Sequence, residues 1–424
     1  MKKSLLALAV VAAAASANAA TVYDKDGTSL NVTGRIQSVY YSNNYGTAGN
    51  HDSSIQNSAR FGLAARTQIT DWVAGIAATE WDMDDHNTNK ISARDQWVGA
   101  DFGEYGVLQA GKFRDASYWV DNVTDHFEDA ACVAQGNFGA RRPGQIMYTY
   151  ENYGFHGQLG IQTALDNAKI FGDKQGSIAL LTTDRLGNSF AVDSGFSTSL
   201  GYTFDDVLFG PLSLRAGYSY MKGQSGDDVL GYTLDADGDF LRGTNGVAFK
   251  NFKQANAGIS WGNLDSGLYL AALYEYAKLT GLGGHYANLT KDQAGNYVTG
   301  YSFADNKVKV KGFELVAGYA WDNGVSFLTG YEVCKYSYDE ATNLLNNPNR
   351  YYNNANIFVN TASLPVSYTV RRIPVFVNYK INSNFNVWGE VGFNAGSDHA
   401  SWLRPNVDKA VDHTVFSVGA RYTF

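Results

Sequence analysis

Residues 414–424 read Thr-Val-Phe-Ser-Val-Gly-Ala-Arg-Tyr-Thr-Phe, and their alternation decides the fold. Thr414, Phe416, Val418, Ala420, Tyr422 and Phe424 share one parity, while Ser417, Gly419, Arg421 and Thr423 share the other. A period of two belongs to a β-strand, whose successive side chains point to opposite faces. The pattern recurs upstream. Leu30, Val32, Gly34, Ile36 and Tyr40 alternate with Asn31, Thr33, Arg35 and Gln37; Phe61, Leu63, Ala65 and Ile69 alternate with Arg60, Gly62, Ala64, Arg66 and Gln68. Stretches 212–220 and 313–321 repeat it.

Sixteen such strands are predicted, over 29–42, 59–70, 72–81, 91–102, 106–112, 145–153, 155–165, 195–204, 211–221, 252–262, 267–279, 308–321, 325–338, 367–380, 385–396 and 411–424. Their connections alternate. Short ones fall at Thr70-Asp71, Phe102 to Tyr105, Tyr153-Gly154, Gly262 to Gly267, Asp322 to Gly324 and Asn382 to Asn384. Long ones, rich in Asn, Asp, Gly and Ser, fall near 43–58, 82–90, 113–143, 166–193, 222–251, 280–306, 339–366 and 397–410. An even strand count with short turns on one side and long loops on the other is the signature of an all-β, 16-stranded antiparallel transmembrane barrel. Only a closed barrel lets strands cross lipid, because every backbone N–H and C=O must be paired. Tyr40, Tyr41, Trp72, Trp81, Trp261, Trp321, Tyr336, Tyr338, Tyr379, Tyr422 and Phe424 lie near strand ends, where a barrel carries its aromatic girdles. Pro374 sits inside a strand, which predicts a bulge there.

Composition excludes the alternatives. The 28 Tyr and 23 Phe argue against disorder, and the 45 Gly show no collagen period. A net charge of -8 argues against a nucleic-acid partner. The one long apolar run, Leu5 to Ala15, follows Lys2-Lys3 and precedes Ala17-Asn18-Ala19, the three parts of a secretory signal peptide over 1–19. Cleavage after Ala19 leaves residues 20–424 as one barrel domain and, with two lysines gone, a net charge of -10. No composition shift or linker divides those residues further. Two cysteines, Cys132 and Cys334, then belong to an oxidising compartment.

Val22 to Gly27, Asn31 to Arg35, Ala59 to Leu63 with Thr67-Gln68-Ile69, and Val418 to Phe424 resemble, in that order, segments of the Gram-negative general diffusion porins of the OmpC/OmpF type. The resemblance covers about the first 130 residues and the last 60; the middle aligns only as a strand pattern. It implies a homotrimer in the outer membrane that passes ions and small hydrophilic solutes by passive diffusion. It also implies contact with lipid and lipopolysaccharide, and a barrel-assembly machinery that reads Tyr422 and the terminal Phe424. Within each barrel, a third loop, here about 113–143, would fold inward and narrow the pore.

In the family, loop carboxylates face a ladder of basic residues. Asp125 with Asp129 or Glu128 fits the acidic side, with Asp121 nearby; Arg35, Arg60, Arg94 and Arg141 or Arg142 fit the basic side. The alternation independently turns Arg35, Arg60 and Arg66 away from lipid, where an arginine at the midplane costs about 2–4 kcal/mol. Opposed charges across a wet gap select among ions, and the acidic balance of the chain favours mild cation selectivity. Cys132 falls in the inward loop, and Cys334 shares parity with Glu332 on the lumen face, so a disulfide could staple the loop to the wall.

No enzyme reading competes. Gly106 to Lys112 lacks the Ser/Thr of a phosphate-binding loop and lies on a strand; His399-Ala400-Ser401 stands without supporting motifs. No cofactor and no metal spacing is present, although Asp82, Asp84 and Asp85 could meet divalent cations at the loop ends. Two alternatives remain: a substrate-selective porin for a sugar or other nutrient, and a structural or adhesive barrel with a closed lumen.

Overall fold

The computed structural model describes residues 19–42, 53–84, 90–130, 133, 141–171, 189–225, 229, 245–281, 285–291, 297–303, 307–339, 367–397 and 413–424. The strands are β1 (Ala20–Lys25), β2 (Thr28–Tyr41), β3 (Ser54–Gln68), β4 (Ala74–Asp84), β5 (Lys90–Asp101), β6 (Val107–Arg114), β7 (Arg141–Asn152), β8 (Phe155–Gln162), β9 (Leu165–Ala168), β10 (Phe190–Val207), β11 (Gly210–Gly223), β12 (Asn251–Gly262), β13 (Gly267–Thr280), β14 (His285–Lys291), β15 (Tyr297–Phe303), β16 (Lys307–Ala320), β17 (Val325–Asp339), β18 (Ser367–Lys380), β19 (Phe385–Asn394) and β20 (Val415–Thr423).

Sixteen of these, β2 to β8, β10 to β13 and β16 to β20, pair with their neighbours in order, antiparallel throughout, and β2 pairs with both β3 and β20 to close the barrel. Closure continues to the last residue. The Phe424 amide donates to Gly34 O at 2.8 Å, and the Gly34 amide to Phe424 O at 2.7 Å. A Cβ on Gly34 would lie 2.4 Å from the Phe424 ring, so the seam needs glycine there.

Ile36, Val98, Leu159, Leu200 and Val418 lie more than half exposed on the outer face. That outward apolar band, against a polar interior, is what a lipid-embedded barrel presents. Short connections close one end. The turn at Tyr153-Gly154 has φ of 53° and 79°, both positive, as a two-residue hairpin whose twist matches its strands requires.

Several expectations change. β1 was not foreseen; it pairs with β2, beyond the point where β20 ends. β3 begins at Ser54, inside the stretch read as loop, and the 280–306 connection holds the β14–β15 hairpin. Pro374 makes no bulge: β17 and β18 keep one register from Thr329↔Val375 to Glu332↔Arg372. That register sets Gly330 opposite Pro374, and even a Cβ on Gly330 would stay 3.6 Å from the ring, so the proline is accommodated without an extra residue. Tyr41 and Tyr336 do not join the girdle. Tyr336 is 2% exposed inside the barrel, and Tyr41 reaches into the lumen. Trp72, Trp321, Tyr379 and Tyr422 do face outward. Tyr338's side chain lies outside the described residues.

Candidate functional site

After β6 the chain turns into the barrel instead of continuing outward. Asp115 starts the turn: its carboxylate accepts from Ser117 Oγ at 2.6 Å and pairs with the buried Arg142 on β7. A single helical turn, α1 (Tyr118–Asp121), follows. Its side chains rest where the lumen wall carries glycine. Gly201 on β10 stands in register between His156 and Arg215, and a Cβ there would strike the Trp119 indole at 2.4 Å. Trp119 stacks on His156 with ring centres 3.8 Å apart, and the Arg215 guanidinium lies 4.4 Å from the indole. Gly217 and Gly258 make room in the same way for Val120, and Gly392 for Ala130.

Wall carboxylates then hold the loop backbone. Glu390 on β19 accepts the amides of Glu128 at 2.7 Å and Asp129 at 3.0 Å, and also that of Ala130. Glu314 on β16 accepts the Thr124 hydroxyl at 2.5 Å, and Glu332 on β17 accepts the Val133 amide at 3.1 Å. Each would be costly to bury unpaired, and each satisfies donors that a non-helical segment could not pair by itself.

The seat turns a charged edge of the loop toward the pore. Glu128 forms a bidentate pair with Arg421 on β20, at 2.8 Å for Nη1 to Oε1. Arg35, level with Arg60 across the β2–β3 ladder, has Arg60, Arg421, Arg94 and Glu128 as its charged neighbours. Asp125 accepts from Tyr118 OH at 2.7 Å and lies 3.6 Å from Arg114. Asp129 is taken up by the wall instead, accepting from Tyr41 OH at 3.0 Å and Ser417 Oγ at 2.5 Å.

Opposite α1 lies a cavity of about 490 Å³ whose wall carries Arg60, Arg94, Arg114 and Arg141. These arginines are not a bare ladder. Arg60 meets Asp82 at 2.6 Å, Arg94 meets Glu80 at 2.7 Å and Asp82 at 3.0 Å, and Arg141 meets Asp95 at 3.0 Å. A shift in register between Glu80 and Trp81 leaves Arg94 as an extra residue on β5, so Arg94 and Asp95 both point inward. A second cavity of about 250 Å³, on the short-turn side, is bounded by His126, Glu128, Lys380 and Arg421.

The structure therefore brings together Arg35, Arg60, Arg94, Arg141, Asp125 and Glu128. It corrects two expectations. Arg142 is 3% exposed and serves the root of the loop, while Arg141 faces the cavity. Asp121 is fully buried against β12, with Asn256 Nδ2 donating to it at 2.5 Å. Burial lifts the Asp121 carboxyl well above the usual carboxylate range. Both Arg141 and Arg142 belong to β7 and not to the loop, because a bulge near Pro143-Gly144 shifts the strand's register against β6. Sequence reasoning missed Arg114, Arg421, Glu80 and Asp95 as pore groups, and Glu390 as the loop's anchor. Their one signal was a charge standing at lumen parity. Cys334 is buried on the lumen face beside Tyr336 and Val310, with Val133 packed against that cluster; Cys132 lies outside the described residues.

An inward loop that faces a charged wall inside a closed sixteen-stranded barrel narrows comparison to one kind of protein. The sequence profile of the Gram-negative porins matches residues 5–340. The chain belongs to the Gram-negative porin family. Outer membrane porin PhoE of Klebsiella oxytoca is 27% identical to this porin over 394 residues, covering 90% of this chain and 93% of that one. Outer membrane porin C of Salmonella typhimurium is 26% identical over 396 residues, with the same coverage. Among solved structures, the fold is shared with Salmonella typhi OmpF in complex with daunomycin, at a TM-score of 0.60 and 18% identity over 96% of this chain and 100% of that one. The trimer form of in-vitro folded OmpT from Vibrio cholerae gives a TM-score of 0.56 at 15% identity, over 94% and 100% of the two chains. This porin is an outer-membrane β-barrel whose aqueous lumen carries passive diffusion.

Proposed function

We propose that this porin is a general diffusion pore with weak ion selectivity, set by the constriction between the inward loop and the arginine-bearing wall. The carrying observation is the pairing of Arg60, Arg94 and Arg141 with carboxylates of the same wall, which leaves little net charge to exclude either ion. Arg35, Arg60, Arg94 and Arg141 form the basic side, and Asp125 and Glu128 the acidic side. Asp129 and Arg142 hold the loop in place. Small polar solutes orient in the resulting transverse field, and ions pass according to the local balance.

The same reading includes a secretory signal peptide over 1–19, assembly into a homotrimer, and recognition of Tyr422 and Phe424 by the barrel-assembly machinery. It also pairs Cys132 with Cys334; the Val133 amide bonded to Glu332, two residues from Cys334, supports that staple. The curated relatives are channels, and no catalytic role is proposed.

Single-channel recording in a planar bilayer under a salt gradient tests the pore. Openings in three equal steps with a small reversal potential are the expected result. Folded protein without conductance overturns it in favour of a closed barrel, and flux that saturates with one solute overturns it in favour of a selective porin.

A further inference from the structure

The polar interior does not extend over the whole wall. At their long-loop ends, β11 to β13 and β16 to β18 turn apolar side chains inward: Met221, Phe252, Leu279, Val310, Tyr336 and Val370, all buried. Val192 begins the same surface on β10. Deeper in the barrel, β12, β13, β16, β17 and β18 carry Gln254, Glu275, Glu314, Glu332 and Arg372 at inward positions. The change of character falls at the level of the inward loop, whose Val133 packs against the apolar set. In a lumen filled with water to its rim, that set would lie against solvent.

The chain covers it instead. Ile170 and Phe171, just after β9, and Val247 and Phe249, just before β12, join the same cluster. Phe171 meets Phe252 edge to face with ring centres 5.1 Å apart, and Phe190 meets Phe249 in the same way at 5.7 Å. Ile170, Phe171, Phe249 and Phe252 are each at most 1% exposed. Backbone bonds fasten the cover to the strands. The Val247 amide donates to Ser189 O at 2.8 Å, the Ala191 amide to Val247 O at 3.0 Å, and the Lys250 amide to Thr280 O at 2.9 Å. A Cβ on Gly223 would collide with Phe249 O, so glycine lets the covering chain settle. The result is a packed interior inside the barrel, built from wall and loops together.

We propose that this core is a fixed filter at the mouth: it fills the long-loop end of the lumen over β10 to β18, and Phe171, Phe190, Phe249 and Phe252 limit the size of solute that reaches the inward loop. A hydrated ion entering this space would shed water with no polar group to replace it. On the β3 to β7 side the inward positions are Arg60, Asp82, Arg94 and Arg141, so the wet path runs there. Solutes are thereby delivered off-centre, beside the arginines. The proposal rests on the diffusion-pore reading and adds a second determinant of passage, apart from the constriction.

The test uses the full-length folded porin carrying Cys132→Ser, which leaves Cys334, a member of the core, as the sole thiol. In this parent a charged, water-borne methanethiosulfonate reagent leaves Cys334 unlabelled. Phe171→Ser with Phe249→Ser admits water: labelling quickens about a hundredfold, the effect on local opening of truncating a packed Phe. Single-channel conductance rises as well, and liposomes admit longer oligosaccharides. Phe171→Leu with Phe249→Leu stays apolar and keeps the parent's values in all three measurements. Rapid labelling of Cys334 in the parent overturns the proposal. So does a folded Ser variant with the parent's conductance and size limit, or a wider pore in which Cys334 is still protected. If the double Ser variant does not fold, Phe171→Ala carries the same three measurements with the same expected and overturning results. A silent parent beside a conducting Ser variant would end the open-pore reading and keep the core as the closure. Two silent, folded proteins would end both.

Discussion

Glu128 is the residue at which loop and wall charge meet. Burial alone would raise its carboxyl, but the Arg421 hydrogen bond and the charges of Arg421, Arg35 and Arg60 outweigh it, so its pKa falls below the usual carboxylate value. A depressed pKa means that the ion pair is intact at neutral pH and is lost only as the solution becomes more acidic than about pH 4, the ordinary carboxylate range. Reversal potential measured from pH 7 downward should stay level to below that range and then move toward anions. Glu128→Gln should show the shifted value at every pH and lose the plateau. A Gln variant with the parent's reversal potential would remove Glu128 from the selectivity account. The lumen direction of Arg35 and Arg60 was legible because a two-residue period leaves an arginine one choice beside lipid. The carboxylates that quench Arg60 and Arg94 were not, because pairing is made between strands: Asp82 and Arg60 meet across a ladder, and the parity of Arg94 is reversed by a bulge.

Among the elements, the strands were the most legible, since each is written in its own alternation. The β18 span coincides with its predicted 367–380 limits. Boundaries slipped where alternation ran on into polar residues, as at Ser54, and where a bulge broke it, as at Arg141. The inward loop was legible only as a length and a resemblance. Its path depends on which lumen positions are glycine and which are glutamate on strands hundreds of residues away, a pattern visible only after closure. Glu390 is the strongest single anchor. Glu390→Ala strips the acceptor from three consecutive amides and should weaken loop docking by about 2–4 kcal/mol. The expected signs are noisier single-channel current and faster proteolytic cutting near 125–130 in an otherwise heat-resistant barrel. Quiet channels and an uncut loop would shift the anchoring role to Glu314 and Trp119.

At the scale of the whole molecule, closure and the staple become measurable. Heat-denatured chain should migrate faster without reductant than with it if Cys132 and Cys334 are joined, because the bond closes a loop of about 200 residues. Equal mobility with two alkylatable thiols would dismiss the bond. The aqueous interior and outward apolar band were both readable before the fold was known. The loop's span across the interior was not. It leaves the wall at β6 and is fastened to β11, β12, β16, β19 and β20, far around the circumference. A wall one strand thick resists stretching along its hydrogen bonds far better than it resists being flattened. A strut fixed across its diameter opposes that flattening, so the segment that narrows the passage also keeps its cross-section round under lateral pressure from the membrane.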